Sequence, residues 1–438
     1  MLVFMFHGAY PGFVVSMSRE VRGFVDDIRD LGGIKFIRLN TDSGYVQVTI
    51  KKGEVSPELL AVSDKLTRQS CIIVRGMEQD NLHVHTGKEL IPSKIELVTL
   101  SDVPLPLDPS GKTPAELDTR FDWRSLDLRT PKSRAVFKVE GKLIEGMFRH
   151  LTKSGFMPVF TPSLMGAPSE SGSELFSVAY YEKEAFLRQD PQLHRELAVL
   201  GGLERVFEIG PSWRAELSHT TRHLSEHRTC AVELSYIKSE KDTMRVEEKM
   251  IRSAFAFVKK SCEHELQLLD ANIDLPKSPF PVINFPDVYE ILEQNGKTVK
   301  YGEDYDKESE QILAKYVKEK YGSDFFFVNR FPFAAKPFYV MKFPKDPEWA
   351  RSVDLVYKGT EISSGGQREH RYETLLAQIN EKGMNPSNLD WFTKFFKYGS
   401  PTLGGFSVGL ERVVMLMLGI KNIKEAVLFS RDQERLLP

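Results

Sequence analysis

The sequence predicts an α+β chain of at least two domains, and three observations lead there. Residues 20–100 break into short β-rich runs separated by turn signals. A proline-dense stretch follows, VPLPLDPSGKTP at 103–114. Beyond it, helical periodicity mixes with strand-like runs without regular βαβ spacing, which favours a largely antiparallel sheet flanked by helices. The chain has 438 residues, 41% hydrophobic and 27% charged, so it can bury a sizeable core. That composition excludes a disordered chain, a collagen and a coiled-coil rod.

The N-terminal run MLVFMFHGAYPGFVVSM stops being apolar at His7. A membrane span needs about 20 apolar residues, so none is expected here. Neither a basic n-region nor a small-residue cleavage site marks a secretory signal. Residues 1–16 read as a tail, with Met17 as an alternative beginning, and a cytoplasmic protein is expected. Net charge is −2, and there is no polybasic tail to announce nucleic acid. Cys71, Cys230 and Cys262 make neither a disulfide framework nor a C-x-x-C pair.

EVRGFV, IKFIRL, YVQVTI, CIIVRGM and KIELVTL supply five strands in the segment 17–103. Five short strands suit a small barrel, and the OB-fold is the natural nucleic-acid-binding candidate. Acidic and basic residues balance there, so binding would depend on placed side chains. Residues 104–132 form a connector, since proline fixes φ and removes a donor. The second domain, 133–438, opens with a helix from Ser133 that Gly155 caps. Its strands are expected at MPVFTP, RVFEIGP, RTCAVELSYI, PFYVMKF and SVDLVYKGTEISSG.

No G-x-G-x-x-G and no P-loop is present. His219, His223 and His227 recur every four residues, but β-branched neighbours and nearby arginines argue for a polar loop rather than a zinc helix. Three other segments hold chemistry. FEIGPSWRAELSHTTRHLSEH sets Arg214 and Arg222 around a loop, where planar cations could hold a polyphosphate or simply face water. SVDLVYKGTEISSGGQREHR carries Asp354 and Glu361, hard oxygen ligands of the kind Mg²⁺ takes. Their separation puts them on opposite faces of one strand, so a bulge near Gly359 or a strand end would be needed to unite them. PTLGGFSVGLERVVMLMLGI leads through Gly404, Gly405 and Gly409 into an apolar helix with Arg412 in its first turn, a natural anion site.

In this order, the three segments resemble the motifs of a class II aminoacyl-tRNA synthetase: FTPSL with Pro162, then WRAE…TRHLSE, then GGFSVGLER. The strand-rich module, the PLPLDP connector and LDTRFDWRSLDLR are similar to the aspartyl, asparaginyl and lysyl group. Within it, EISSGGQREHR, ESGSELF and AAKPFY look like aspartyl-tRNA synthetases of the archaeal and eukaryotic type. The resemblance implies an OB-fold barrel joined to a class II catalytic domain, and a homodimer. It implies ATP-dependent activation of L-aspartate and transfer to tRNA(Asp), with tRNA(Asn) as an open second acceptor.

By the same resemblance, Arg214 and Arg412 are catalytic. ATP would be held by Arg214, Glu216, Arg222, His223, Leu224, Glu361, Gly409, Leu410, Glu411 and Arg412. Aspartate would be held by Glu170, Gln192, Arg195, Arg214, Ser364 and Arg368, with Arg195 and Arg368 both on its side-chain carboxylate and Glu170 on its ammonium. Asp354, Glu361 and Ser364 would face Mg²⁺. Arg29, Phe36, Gln47 and Glu89 match anticodon-reading positions, while Asp26 and His85 occupy positions that tune discrimination between the two tRNAs. Three pocket positions depart from the family: Asp190 replaces a serine, Arg195 a lysine, and Ala231 an aspartate. Two alternatives therefore stand beside the leading reading: a paralogue with a changed amino acid, and a non-charging RNA-binding protein.

Overall fold

A computed structural model of the chain describes residues 18–84, 87–167, 175–215 and 223–438. It divides into two compact units, Met1–Pro131 and Lys132–Pro438. In the first unit β1 (Ser18–Asp30), β2 (Ile34–Thr41), β3 (Gly44–Lys51), β4 (Cys71–Asp80) and β5 (Lys88–Thr99) close a barrel in the order β1-β2-β3-β5-β4. Alternation explains the closure: Ile37, Leu39, Val48, Ile50, Ile72 and Val74 point inward and are fully buried, while their neighbours face out. The sequence reading lacked one element, α1 (Pro57–Lys65), which Ser56 caps and which sits between β3 and β4. Past the prolines, α2 (Leu117–Asp122) and α3 (Arg124–Asp127) are short, and a buried Arg124–Asp127 ion pair at 2.6 Å ties α3 together.

The second unit begins with α4 (Pro131–Lys153), whose chain turns at Gly155 with φ +81°. β6 (Met157–Pro158) is a remnant of the longer strand expected at MPVFTP. β7 (Leu164–Met165), β8 (Ser177–Tyr180) and β9 (Lys183–Leu187) make a small three-stranded sheet. Then come α5 (Gln192–Leu200), β10 (Arg205–Trp213), β11 (Glu226–Ser235), α6 (Glu240–Ser261), α7 (Glu263–Leu268), β12 (Val282–Asn284), α8 (Asp287–Gln294) and α9 (Lys307–Tyr321). The chain finishes with β13 (Phe325–Asn329), β14 (Ser352–Tyr357), β15 (Thr360–Gln367), α10 (Tyr372–Glu381), α11 (Asp390–Thr393), β16 (Leu403–Gly409) and α12 (Leu410–Leu418).

Eight strands pair as β12-β13-β14-β15-β16-β11-β10-β6. Only the edge pairs β12–β13 and β6–β10 are parallel, so the sheet is mainly antiparallel. One face is apolar: Phe207, Cys230, Val232, Phe406, Val408 and Leu355 pack with Met250 and Phe255 of α6 and with Leu143 and Met147 of α4. The other face is polar.

Two expectations are corrected. SVDLVYKGTEISSG is a hairpin, β14 and β15, rather than one strand. Gly404, Gly405 and Gly409, which lead into α12 as expected, lie in strand β16. PFYVMKF is not a strand; only isolated bridges form, Val340 with Arg368 and Lys342 with Ala350. Its apolar residues Phe338, Tyr339 and Val340 instead fill a cluster with Leu375, Ile379 and Phe392. Among the described residues no helix is long and apolar enough to cross a membrane.

Candidate active site

On the polar face, register aligns Glu208, Ala231, Ser407, Ser364 and Asp354 in one row across five strands. Laterally paired residues share a face, so this row is a floor. A cavity of about 500 Å³ lies above it. Arg214, Leu224, Glu361, Ser364, Arg368 and Arg412 all line it, although they are spread over about 200 residues of sequence. Two groups of side chains occupy its ends.

At the first end, Arg412 in the opening turn of α12 donates from Nη1 to the Glu361 carbonyl at 2.6 Å. Gly409 lines the wall, and Glu411 accepts the Arg228 N–H at 2.9 Å. Leu410 turns into the core instead. Burial pushes the Glu411 carboxyl up to about 7. The hairpin answers how Asp354 and Glu361 meet. Pairing shifts between Leu355 and Val356, with Ile362 as the extra residue, so Val356 opposes Glu361 while Asp354 opposes Ser364. The bulge is at Ile362 rather than at Gly359, and it brings Glu361 onto the floor side.

Asp354 is itself beneath the lining: it accepts from Ser364 Oγ at 2.6 Å and pairs with Lys336 Nζ at 2.9 Å. Burial and the neighbouring Asp354 raise the Glu361 carboxyl, and burial and Glu361 push Glu310 up to about 7. Among the described residues no three His, Cys, Asp or Glu side chains are grouped to hold a metal by themselves.

At the other end, Arg368 is 4% exposed. Its Nε donates to Glu233 at 3.1 Å and its Nη2 to Gln192 Oε1 at 3.0 Å, with Tyr339 stacked 5.6 Å away. Gln192 Nε2 donates onward to Glu233 at 2.8 Å and to Glu196 at 3.0 Å. Burial, then the neighbouring Glu233, raise the Glu196 carboxyl above its ordinary value. Gly405 makes this packing possible, because a Cβ there would overlap Val232 O and the Glu233 carboxylate.

Arg195 departs from expectation. It is fully buried, lies outside the lining and donates from Nη2 to Asp190 at 2.7 Å and to Gln192 Oε1 at 3.1 Å. The two arginines therefore do not face the cavity together. Asp190 does line it. Ala231 belongs to the floor row, is 1% exposed and is not among the lining residues.

Arg214 is exposed at the end of β10, its N–H bonded to Ser225 O at 3.0 Å, and its charge is felt both by Asp190 and by Glu361. It thus joins the two ends. His223 and His227 line the cavity on the approach to and within β11, not on a helix. Burial, then Arg214 and Arg412, push His227 down to about 4, so its ring is neutral. His227, Lys336, Tyr339 and Ser407 are lining residues that sequence reasoning missed. Glu170, His219, Glu216 and Arg222 lie outside the described residues, as does His85.

The barrel presents a second group. Arg29 opposes Phe36, Phe36 opposes Thr49, and Gln47 opposes Glu89. Because Ile37 and Val48 point inward, these side chains share the outer face. Glu89 accepts from Thr49 at 2.5 Å and from Gln79 at 2.9 Å. Asp26 is fully buried at a bulge in β1 and is held by Arg38 Nε at 2.5 Å, so it supports this face from beneath.

An antiparallel sheet floored by these residues, with arginines at both ends of one cavity and an OB barrel before it, defines an aminoacyl-tRNA synthetase of the second class. The comparisons agree: residues 116–433 match the tRNA synthetases class II (D, K and N), and residues 20–98 match the OB-fold nucleic acid binding domain. The chain belongs to that class II family.

Its relatives include the aspartate–tRNA(Asp) ligase of Pyrococcus furiosus, 43% identical over 419 residues and 96% of each chain. Another is the aspartate–tRNA(Asp/Asn) ligase of Methanopyrus kandleri, 42% identical over 423 residues and 96% of each chain. Among solved structures, it is similar to the asparaginyl-tRNA synthetase of Pyrococcus horikoshii complexed with asparaginyl-adenylate. That match has a TM-score of 0.89, 31% identity, and coverage of 97% of this chain and 96% of the other.

Proposed function

We propose that this chain is an aspartate–tRNA ligase that activates L-aspartate with ATP and passes the aspartyl group to the 3′ end of tRNA(Asp). The observation that carries this reading is the single cavity in which Arg214 stands between the Arg412–Glu361 end and the Arg368–Gln192 end. ATP lies with its triphosphate towards Arg412 and its α-phosphate at Arg214, while neutral His227 and Leu224 flank the base and ribose. The aspartate α-carboxylate attacks the α-phosphorus in line, the bond to the β-phosphate oxygen breaks, and pyrophosphate leaves. Arg214 and Arg412 neutralise charge that grows on the phosphoryl oxygens, and positioning supplies most of the remainder. Arg368, held rigid by Glu233, receives the side-chain carboxylate.

The residues fit Mg²⁺. Burial and Asp354 raise Glu361, and burial and Glu361 raise Glu310, a strain that a cation relieves, and two carboxylates plus phosphate oxygens suit this metal. Asp354 and Glu361 would hold it, with Ser364 orienting Asp354; when bound, it shields the phosphate charge. On the barrel, the outer face of Arg29, Phe36, Gln47 and Glu89 reads the anticodon by stacking and base-edge bonds.

ATP–pyrophosphate exchange with each of the twenty amino acids tests the substrate. Charging of tRNA(Asp) and tRNA(Asn) transcripts then tests the acceptor. Exchange with another amino acid and none with aspartate would refute the reading. The chain also acts as a homodimer through the segment around Pro162, where Phe160 is 89% exposed beside exposed Met157 and Leu164. A concentration-independent 50 kDa species in sedimentation would exclude that.

A further inference from the structure

We infer that Asp190 is a specificity-determining residue that receives the α-ammonium of the amino acid. This rests on the proposed adenylation reading, which fixes the substrate's α-carboxylate beside Arg214. The ammonium is bonded to the same α-carbon, so it must lie at the Arg214–Arg368 end and needs an anion there.

Among the described residues, the carboxylates that line the cavity are Asp190, Glu361 and Glu411. Glu361 and Glu411 stand at the other end, against Arg412 and the Arg228 N–H. Glu233 and Glu196 lie close to Arg368 but are buried outside the lining, and Glu233 is committed to Arg368 and Gln192. That leaves Asp190. Burial works against its charge, but Arg195, then Arg368 and Arg214, outweigh it and hold the carboxyl below its ordinary value. An anion kept ionised in a partly enclosed wall is what a substrate ammonium requires. Arg195, fully buried behind it, is a positioning residue: its bond at 2.7 Å fixes the carboxylate without facing the substrate.

The floor agrees with this placement. At Ala231 the sheet offers no polar group, and next to it the Ser407 hydroxyl is buried with no partner while lining the cavity. The resemblance assigns the ammonium to Glu170, which lies outside the described residues; Asp190 is a second anion, on the wall at the start of α5.

The test compares aspartate with succinate, the same diacid without the amino group. Affinities of both are measured by calorimetry in the full-length protein and in Asp190→Asn and Asp190→Ser. The expected result is at least a tenfold loss of aspartate affinity, unchanged or tighter succinate binding, and unaltered ATP affinity. Arg195→Gln tests the positioning role: it should weaken aspartate in the same direction as the Asp190 variants but by less, and leave succinate nearly unchanged. Equal loss of aspartate and succinate in the Asp190 variants, or no loss of either, would overturn the inference. Wild-type protein inert to aspartate in exchange refutes the proposed substrate instead. The same ratio, taken for whichever amino acid is activated against its des-amino acid, then decides on Asp190.

Discussion

The two ends of the cavity are charged on opposite plans. Around Arg412, carboxylates crowd: burial and the neighbouring Asp354 raise Glu361, burial and Glu361 raise Glu310, and Glu411 is raised by burial. Around Arg368, buried charges are already matched, Arg368 with Glu233 and Arg195 with Asp190, and burial with Glu233 raises the Glu196 carboxyl. Under the proposed reading, the first end is unfavourable by itself and would be relieved by Mg²⁺ and phosphate. The second end is preorganised, so little rearrangement is needed when a small substrate enters.

The largest test of this contrast removes the cations on the phosphate path. Arg214→Ala and Arg412→Ala should each lower pyrophosphate exchange by on the order of 10²–10³-fold or more, with circular dichroism unchanged. Near wild-type exchange in either variant would mean the phosphates lie elsewhere. Next, Glu361→Gln should raise the Mg²⁺ concentration for half-maximal exchange by about tenfold or more. If the crowding at the first end is incidental, the Mg²⁺ curve will not move.

The barrel sharpens the comparison from outside the cavity. Phe36→Ala should weaken tRNA in the charging reaction by about tenfold while exchange without tRNA stays intact. A parallel loss of exchange would instead mark Phe36 as a stability residue.

The smallest effect concerns pH. Glu310, about 7 in the fold against an ordinary 4.5, binds more protons folded than unfolded between those values. Stability of the unliganded protein should therefore fall as pH rises from about 4.5 to 7. Glu310→Gln should leave stability at pH 5 nearly unchanged and raise it at pH 8 by on the order of 1 kcal/mol. Denaturant midpoints at the two pH values check this; equal shifts at both would refute it.

Much of the site was legible because arginines and carboxylates in short segments keep their spacing as text. Arg214, Glu361, Arg368 and Arg412 do meet in one cavity. The barrel was legible too, since period-2 alternation is local. What escaped depends on register or on distant packing. One extra residue, Ile362, decides which face Glu361 takes, and no count along a single strand reveals it. Lys336 reaches Asp354 from an irregular segment that reads as an apolar strand, because its hydrophobic residues serve a separate cluster with α10 and α11. Arg195 reads as a substrate-facing cation, yet it is buried behind Asp190, since α5 lays its Gln192–Arg195 turn against the sheet.

The hairpin at β14 and β15 can be threaded in two frames. The observed one has a two-residue turn, Lys358 and Gly359 at φ +48° and +71°, and the bulge at Ile362. A three-residue turn without the bulge would pair Val356 with Ile362 and swing the Glu361 carboxylate to the apolar side. Left-handed torsions at both turn positions select the first frame, and Gly359 supplies one of them at no steric cost. The turn at the hairpin tip thus selects the face that the Glu361 carboxylate takes. Gly359→Val should abolish Mg²⁺-dependent exchange by slippage, without altering one residue of the cavity wall. An unchanged Mg²⁺ response would show that the frame is held by the bulge alone.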